Sequence, residues 1–291
     1  MKIKASERKF FFSALIGPSL AVFILCFLSH PAMGAERDIV AKAAVLMEMR
    51  TEKILWEKNK DLPRPPASTA KILTASVILD RVALKEIVTV PITKTTTSKS
   101  SGVSLQGGER LGVQDLLYAL LLQSSNEAAL ALASHVGGST AKFVQLMNQK
   151  ARSLGALDSH FLNPTGLPQR GQVTTARELA LITKAALANP DFRRIVATKS
   201  YPWKSLKWDG VLENSNELLK SYDGAIGVKT GNTREAGHCL VAAAQRGDKA
   251  LIAVILGSQE KHIWQDAKHL LDYGFKTFGP VPSGSKSLSL P

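Results

Sequence analysis

The separation of strand-like from helix-like sequence along the chain is the feature that most constrains its fold. Residues 40–58 alternate around a turn at 50–53, which predicts a β-hairpin. Residues 113–200 instead carry apolar side chains three and four positions apart, the spacing of amphipathic helices. Strand patterns return near the other end of the chain, at 224–233, 238–245 and 249–257. Both ends of the chain are therefore expected to contribute to one sheet.

The predicted fold class is α+β. The N- and C-terminal segments are expected to form an antiparallel sheet flanked by helices, with a helical lobe of about residues 83–200 inserted between them. Antiparallel pairing fits the short connections, since a two-residue turn at Gly247 and Asp248 is expected to join the last two strands. A cleft between the sheet and the lobe is the expected place for a site.

Further boundaries complete the predicted organisation. A helix is expected at 68–82, just after two prolines, and a final helix at about 263–276. The catalytic domain is expected to span residues 35–278. Residues 279–291 are rich in Pro, Gly and Ser, which predicts a flexible tail.

Residues 1–34 have the pattern of an export signal. A basic start is followed by an apolar run at 10–28, then by Ala32 and Gly34 at the spacing of a cleavage site. The alternative is an uncleaved anchor helix, although Ser13 and Pro18 interrupt the apolar run. We therefore expect an exported protein of the periplasmic or cell-wall space, with membrane contact only if this segment is uncleaved.

The chain is strongly basic, with a formal net charge of +13. Loss of residues 1–34 would remove four basic residues and one acidic residue, which leaves a charge of +10. The lysines are scattered and no nucleic-acid-binding motif is present, so nucleic acid is not an expected partner. An anionic wall or membrane surface suits an exported basic protein better. The remaining cysteine, Cys239, is expected to be a buried apolar residue.

Ser68 and Lys71 form an S-x-x-K pattern just after Pro65 and Pro66. The pattern occurs five times in the chain, so its spacing alone carries little weight. At a helix start, however, the serine hydroxyl lies near the positive end of the helix dipole, with Lys71 on the same face. Lys71 could accept the hydroxyl proton only if burial or a nearby cation kept it neutral. The alternative is a capping serine beside a solvated lysine.

Two other segments complete a known set of motifs. Ser124 and Asn126 form an S-x-N pattern near a predicted helix start, and Lys229-Thr230-Gly231 lies on a predicted strand. Each could have a simpler role in a cap, turn or strand end. Together, and in this order with Ser68 and Lys71, they are the set associated with penicillin-recognising serine enzymes.

Longer stretches around these motifs resemble the low-molecular-mass penicillin-binding proteins, the D-alanyl-D-alanine carboxypeptidase family. The similarity covers residues 38–278 and is carried by segments such as "PPASTAKILTA", "LLLQSSNEAALALA", "HFLNPTGLPQRG" and "GVKTGNTREAGHCLVAAA". It implies a fold like that of serine β-lactamases and DD-peptidases. It also implies peptidoglycan stem peptides as substrates, β-lactam antibiotics as covalent inhibitors, and neither a cofactor nor a metal.

The resemblance implies a role for each catalytic residue. Ser68 would be the acylated nucleophile and Lys71 its general base. Ser124 would relay a proton to the leaving amine, and Asn126 would hold the peptide backbone of the substrate. Lys229 would adjust the electrostatics beside Lys71. The site would attack the penultimate D-Ala carbonyl, release D-Ala and pass the acyl group to water.

The resemblance also implies the substrate-binding residues. Thr230 would bind the terminal carboxylate, and Gly231 would let a peptide approach the strand edge closely. The backbone N–H groups of Ser68 and Asn232 would form the oxyanion hole.

The chain departs from relatives at two positions near these motifs. Ser125 stands where glycine is usual. Ile263, three residues before Asp266, stands where many relatives have an arginine that helps to hold the carboxylate. Arg234 or Lys261 is expected to take over that role.

Three alternative functions stay open at this point. The resemblance also fits a D,D-endopeptidase that cuts peptidoglycan cross-links. A class A-like β-lactamase would need an E-x-x-x-N segment, and no glutamate between Asn126 and Lys229 has Asn four residues later. Glu178 instead fits a capping box with Thr175. The third alternative is a non-catalytic wall-binding protein.

Overall fold

The computed structural model describes residues 39–92 and 103–278. The predicted export signal at 1–34 and the predicted tail at 279–291 lie outside the described residues. No helix within the described ranges combines the length and the apolar character needed to cross a bilayer.

Nine strands are present in the described part of the chain. They are β1 (Ala43–Glu48), β2 (Ile54–Lys58), β3 (Ile87–Thr89), β4 (Arg110–Gly112), β5 (Ser200–Lys204), β6 (Asp209–Glu213), β7 (Ala225–Thr233), β8 (Gly237–Arg246) and β9 (Lys249–Ser258). Five of them form one sheet in the order β2-β1-β9-β8-β7, and every neighbouring pair is antiparallel. The prediction of an antiparallel sheet built from both ends of the chain is confirmed.

The helices lie mostly between the two groups of sheet strands. They are α1 (Lys71–Leu79), α2 (Val113–Leu122), α3 (Asn126–Gly137), α4 (Thr140–Ser153), α5 (Ala176–Leu187), α6 (Pro190–Ala197), α7 (Leu218–Ser221) and α8 (Ile263–Thr277). A single 3-10 turn, Ala67–Ala70, precedes α1. The predicted α+β class is confirmed.

Both faces of the five-stranded sheet are covered, because side chains of a strand alternate between the two faces. On β1, Val45 and Met47 pack into the large core shared with α1 to α6. Ala44 and Leu46 pack on the opposite face, in the core that includes α8. Burial on both faces explains why all six residues of β1 are buried.

The predicted helix at 68–82 differs from the structure. Residues 67–70 form the 3-10 turn, and the α-helix runs only from Lys71 to Leu79. Ala67 has a φ of 48°, in the left-handed region, and the Thr69 hydroxyl donates to the Pro66 carbonyl at 2.5 Å. Gly166 and Gly231, from distant segments of the chain, pack against this turn, and helical periodicity does not reveal such contacts.

Two small hairpins were not predicted. The β3–β4 pair has three residues in each strand, and the β5–β6 pair is largely exposed. Pro202 and Gly210 interrupt the alternation of β5 and β6, which hides the strand pattern.

The buried carboxylate of Asp266 on α8 fastens the segment before β1 to the sheet. It accepts hydrogen bonds from the N–H groups of Val40 and Ala41 at 2.9 and 3.1 Å, and from the Ser258 hydroxyl at 2.6 Å. One side chain therefore joins the first described residues, the end of β9 and the last helix.

The substitution Asp266→Ala is expected to lower the free energy of unfolding by about 2–4 kcal/mol, because backbone donors lose their acceptor in a buried place. Urea denaturation followed by circular dichroism measures the change. Asp248→Ala, in the exposed β8–β9 turn, is the matched control and should change stability by less than about 0.5 kcal/mol. Equal stability of the two variants would contradict this role of Asp266.

Candidate active site

Ser68 and Lys71 lie side by side where the 3-10 turn passes into α1. The Lys71 Nζ is 3.1 Å from the Ser68 Oγ. Ser68 makes no capping hydrogen bond, since Pro66 occupies the N-cap position of the turn and Ala70 that of α1. Lys71 is fully buried rather than solvated. The alternative of a capping serine beside a surface lysine is therefore wrong.

The two other partners of the Lys71 amine are both hydrogen-bond acceptors. Its Nζ donates to the Asn126 Oδ1 and to the Thr165 carbonyl oxygen, each at 2.7 Å. A neutral amine has two N–H groups and one lone pair, so these contacts use both donors. The lone pair is then left to accept the Ser68 hydroxyl proton.

The electrostatic surroundings favour that neutral form. Burial, and secondarily the charge of Lys229, hold the pKa of Lys71 well below its ordinary value. Lys229 on β7 is itself buried, and burial lowers its pKa to about 7. The Lys229 Nζ donates to the Thr230 carbonyl at 3.0 Å.

Ser124 lies in the short connection between α2 and α3. Its φ of 60° is in the left-handed region, which a residue with a side chain adopts only when surrounding structure holds it there. Its buried Oγ has no hydrogen-bond partner among the described residues. The next residue, Ser125, caps α3 by accepting from the Ala128 N–H and also donates to the Val103 carbonyl. Ser125 thus holds the turn and leaves the Ser124 hydroxyl unengaged.

The strand β7 passes close to the nucleophile at Gly231. A Cβ atom added there would lie 2.7 Å from the Ser68 backbone nitrogen, so no other residue fits without a shift of backbone. One residue earlier, the Thr230 Oγ1 is 2.9 Å from the Ser215 Oγ. Two hydroxyls therefore lie together one residue before the point where β7 approaches Ser68.

The remaining predicted site residues lie at the end of β7. Asn232 is exposed on the strand and Arg234 is exposed in the turn that follows. Neither side chain makes a hydrogen bond or ion pair within the described ranges. Ile263 is buried in the core beneath α8, so the position where relatives have an arginine contributes no cation here.

Sequence reasoning missed two groups of the site. The Thr165 carbonyl belongs to the stretch "NPTG", which carries part of the family resemblance but contains none of the predicted site residues. The Ser215 hydroxyl lies between two asparagines whose side chains bond to nearby backbone. A backbone carbonyl has no residue signature, although an Asn-Pro-x-Gly turn is a recognisable local signal.

The described residues contain no group of three or more His, Cys, Asp or Glu side chains placed to bind a metal. His238 and Cys239 are neighbours on β8 and so point to opposite faces of the sheet. Cys239 is a buried free cysteine, and burial raises the pKa of its thiol to about 11.

A comparison with known protein families gives a match over most of the chain. The family model described as D-alanyl-D-alanine carboxypeptidase matches residues 30–260. The chain belongs to the D-alanyl-D-alanine carboxypeptidase family.

Members of this family from several bacteria are similar over most of the chain. The D-alanyl-D-alanine carboxypeptidase of Streptomyces sp. strain K15 is 37% identical over 255 residues, covering 81% of this chain and 88% of that protein. The carboxypeptidase DacF of Bacillus subtilis is 34% identical over 248 residues, covering 83% of this chain. This chain spans 64% of the length of the Bacillus protein.

Solved structures of family members share the fold. The crystal structure of the Streptomyces K15 DD-transpeptidase matches with a TM-score of 0.75 at 34% identity, covering 81% of this chain and 97% of that one. The D-alanyl-D-alanine carboxypeptidase from Mycobacterium tuberculosis H37Rv matches with a TM-score of 0.78 at 34% identity, covering 84% and 93%. The DD-peptidase fold expected from the sequence is confirmed.

Burial of Lys229 predicts a dependence of stability on pH. Below about pH 7 this lysine is protonated in both the folded and unfolded states, and the folded state bears the cost of a buried charge. Between about 7 and the ordinary value of 10.5 the unfolded chain binds more protons, so this residue makes stability rise with pH. Lys229→Met should raise the Tm at pH 7 by several degrees and flatten this rise.

Differential scanning calorimetry from pH 6.5 to 10 measures both effects. Lys85→Met is the control, because Lys85 is exposed on the inserted lobe. A Lys229→Met variant with the same Tm profile as the Lys85→Met variant would rule out a destabilising charge at position 229.

Proposed function

We propose that the protein is a serine-type D-Ala-D-Ala carboxypeptidase that acts on peptidoglycan stem peptides through an acyl-enzyme on Ser68. The observation that carries the proposal is the environment of the Lys71 amine. It lies 3.1 Å from the Ser68 hydroxyl, is fully buried, and has both of its N–H groups engaged by acceptors when neutral. Such an amine can act as the general base for the Ser68 hydroxyl.

In the acylation step, Lys71 takes the proton of Ser68 while the Ser68 Oγ attacks the carbonyl carbon of the penultimate D-Ala. The oxyanion that develops is stabilised by the backbone N–H groups of Ser68 and Asn232. The close approach of Gly231 to the Ser68 nitrogen supports this pairing of donors. The positive charge gained by Lys71 is offset by the Asn126 and Thr165 oxygens that face it.

Collapse of the tetrahedral intermediate requires a proton on the leaving amine. Ser124 is suited to deliver it, because its buried hydroxyl is not committed to another group of the described chain. It receives a proton from the Lys71 ammonium and donates its own to the amine nitrogen. D-Ala departs, and water then attacks the ester carbonyl with Lys71 again as base.

The terminal carboxylate of the substrate is proposed to bind at Thr230. The Thr230 and Ser215 hydroxyls lie 2.9 Å apart, so one O–H bonds to the other hydroxyl and the second O–H is free to donate to a carboxylate oxygen. Lys229, the preceding residue of β7, is buried and its Nζ donates to the Thr230 carbonyl at 3.0 Å, so its positive charge lies close to Thr230. Arg234 at the exposed end of β7 is a further candidate for this contact.

β-Lactam antibiotics are proposed to be covalent inhibitors rather than substrates. A glutamate that acts as a base for deacylation needs a free carboxylate oxygen, and both oxygens of Glu178 are occupied. They accept hydrogen bonds from the Asp158 N–H and the Ser159 hydroxyl, at 2.8 and 2.6 Å. The capping box is only half formed, because Thr175 accepts from the Glu178 N–H while the Glu178 side chain bonds elsewhere. Glu178 is therefore not available as a base for fast release of a penicilloyl ester.

The place of action is proposed to be the periplasmic or cell-wall space. The basic and apolar pattern of residues 1–34 is that of an export signal, and stem peptides lie outside the cytoplasmic membrane. The formal charge of +10 that remains after its removal favours association with an anionic wall.

Incubation with a penicillin is expected to add the mass of one drug molecule to the protein, and peptide mapping should place it on Ser68. Ser68→Ala should abolish both the adduct and D-Ala release. The matched control is Ser139→Ala, in another S-x-x-K pattern of this chain, where the serine only caps α4. It should cost about 1 kcal/mol of stability and leave acylation unchanged. An adduct that persists in the Ser68→Ala variant would refute the proposed nucleophile.

Substrate choice is tested by comparing a D-Ala-D-Ala-ending pentapeptide with a cross-linked muropeptide. The carboxypeptidase proposal predicts release of D-Ala from the pentapeptide, measured by mass spectrometry of the products. Cleavage of the cross-link alone would identify a D,D-endopeptidase instead. Binding of wall fragments without any product would identify a non-catalytic protein.

A further inference from the structure

The Thr165 carbonyl is the one Lys71 partner that belongs to none of the three sequence motifs. It lies in the segment between α4 and α5 and accepts from the Lys71 Nζ at 2.7 Å. The same segment touches the nucleophile turn, since a Cβ added to Gly166 would lie 1.8 Å from the Ala67 carbonyl oxygen. Its backbone must therefore be held within a narrow range of positions.

The side chain of Asn163 holds this backbone. Its Oδ1 accepts from the Thr165 N–H at 3.2 Å, from the Thr165 hydroxyl at 2.8 Å and from the Gly166 N–H at 2.8 Å. Three donors on two successive residues thus converge on one amide oxygen. The orientation of the Thr165 peptide group, and so of its carbonyl, depends on that oxygen.

Asn163 is itself fixed from the other side. Its Nδ2 donates to the Leu167 carbonyl at 3.0 Å, and its N–H donates to the Gln172 Oε1 at 3.1 Å. The neighbouring Pro164 carbonyl accepts from the Thr74 hydroxyl on α1 at 2.8 Å. The turn is therefore anchored to the helix that also carries Lys71.

We propose that Asn163 is a positioning residue for catalysis, which orients the Lys71 amine by fixing the Thr165 carbonyl. The proposal rests on the acyl-enzyme function given above. With Asn126 and Thr165 held in place, the two N–H groups of a neutral Lys71 have fixed acceptors and its lone pair faces Ser68. Without the Asn163 oxygen, the Thr165 carbonyl can turn away and the amine can rotate.

The charged group that faces Lys71 from a neighbouring element is Lys229 on β7. Glu127 on α3, the acid next to Asn126, bonds the Leu105 N–H instead. A new carboxylate at position 163 would therefore add an attraction for the Lys71 ammonium with no existing acid to mask it. Asn163→Ala is therefore expected to change the orientation of the Lys71 amine, and Asn163→Asp is expected to change its protonation.

The test measures the second-order rate constant for acylation by a fluorescent penicillin from pH 5.5 to 10. Asn163→Ala should lower the rate on the high-pH plateau by about 10- to 100-fold, because Lys71 is neutral there and only its orientation is lost. Asn163→Asp keeps the acceptor oxygen, so its plateau should stay within about threefold while the midpoint of the acid limb moves to higher pH.

Gln169→Ala is the matched control. Gln169 is exposed and accepts from the Asn163 Nδ2 at 3.2 Å, so this variant removes one contact of Asn163 and leaves the three bonds to Thr165 and Gly166 intact. Its rate and its pH profile should equal those of the unmodified protein.

An unchanged plateau for a folded Asn163→Ala variant would overturn the proposal. So would equal plateau losses in the Ala and Asp variants without any shift of the acid limb, which would indicate a purely structural role. If Asn163→Ala does not fold, the acid limb of the Asn163→Asp pH profile is the deciding measurement. A midpoint at higher pH supports the proposal, and an unchanged midpoint overturns it. Absence of any Ser68 adduct in the unmodified protein would instead refute the proposed function.

Discussion

A primary amine buried without a carboxylate partner is the constraint on which the site depends. Within the described residues, Lys71 makes no ion pair, and its contacts are two oxygens of neutral groups and one hydroxyl. A buried ammonium in such surroundings is costly, so the group loses its proton instead. The core that excludes water from Lys71 therefore also lowers its pKa and favours the neutral form that can act as a base.

The sheet brings the second buried lysine to the same place. β7 is an edge strand, bonded to β8 on one side only, and its Gly231 packs against the turn that carries Ser68. Gly231 allows this close approach because it has no side chain. An edge strand with free backbone groups can also bind an extended peptide. The position of β7 therefore agrees with the proposed peptide substrate.

The residues of the site destabilise the folded state, and packing in the rest of the fold offsets this. Lys71 and Lys229 are buried, and Ala67 and Ser124 have left-handed backbone conformations. Apolar cores on both faces of the sheet hold these elements rigidly in place. A conflict between residue type and environment distinguishes this place from the S-x-x-K pattern of Ser139 and Lys142, where the serine caps a helix.

Much of the fold could be predicted from the sequence because strand alternation and helical spacing are local signals. The sheet segments at both ends, the turn at Gly247 and Asp248, and the final helix from Ile263 are all present. The 3-10 turn before Lys71 and the β5–β6 hairpin were missed, since the first is set by contacts with distant segments and the second has an interrupted pattern.

The sequence by itself determined which reactive groups the protein has and in what order, because hydroxyl, amine and amide side chains are identified by residue type. Only the tertiary structure decided their chemical state. Whether Lys71 is a base depends on its burial and on the carbonyl of Thr165, and neither is a property of the residues next to it in sequence. A backbone carbonyl occurs at every position, so only the folded chain selects the one that faces the amine.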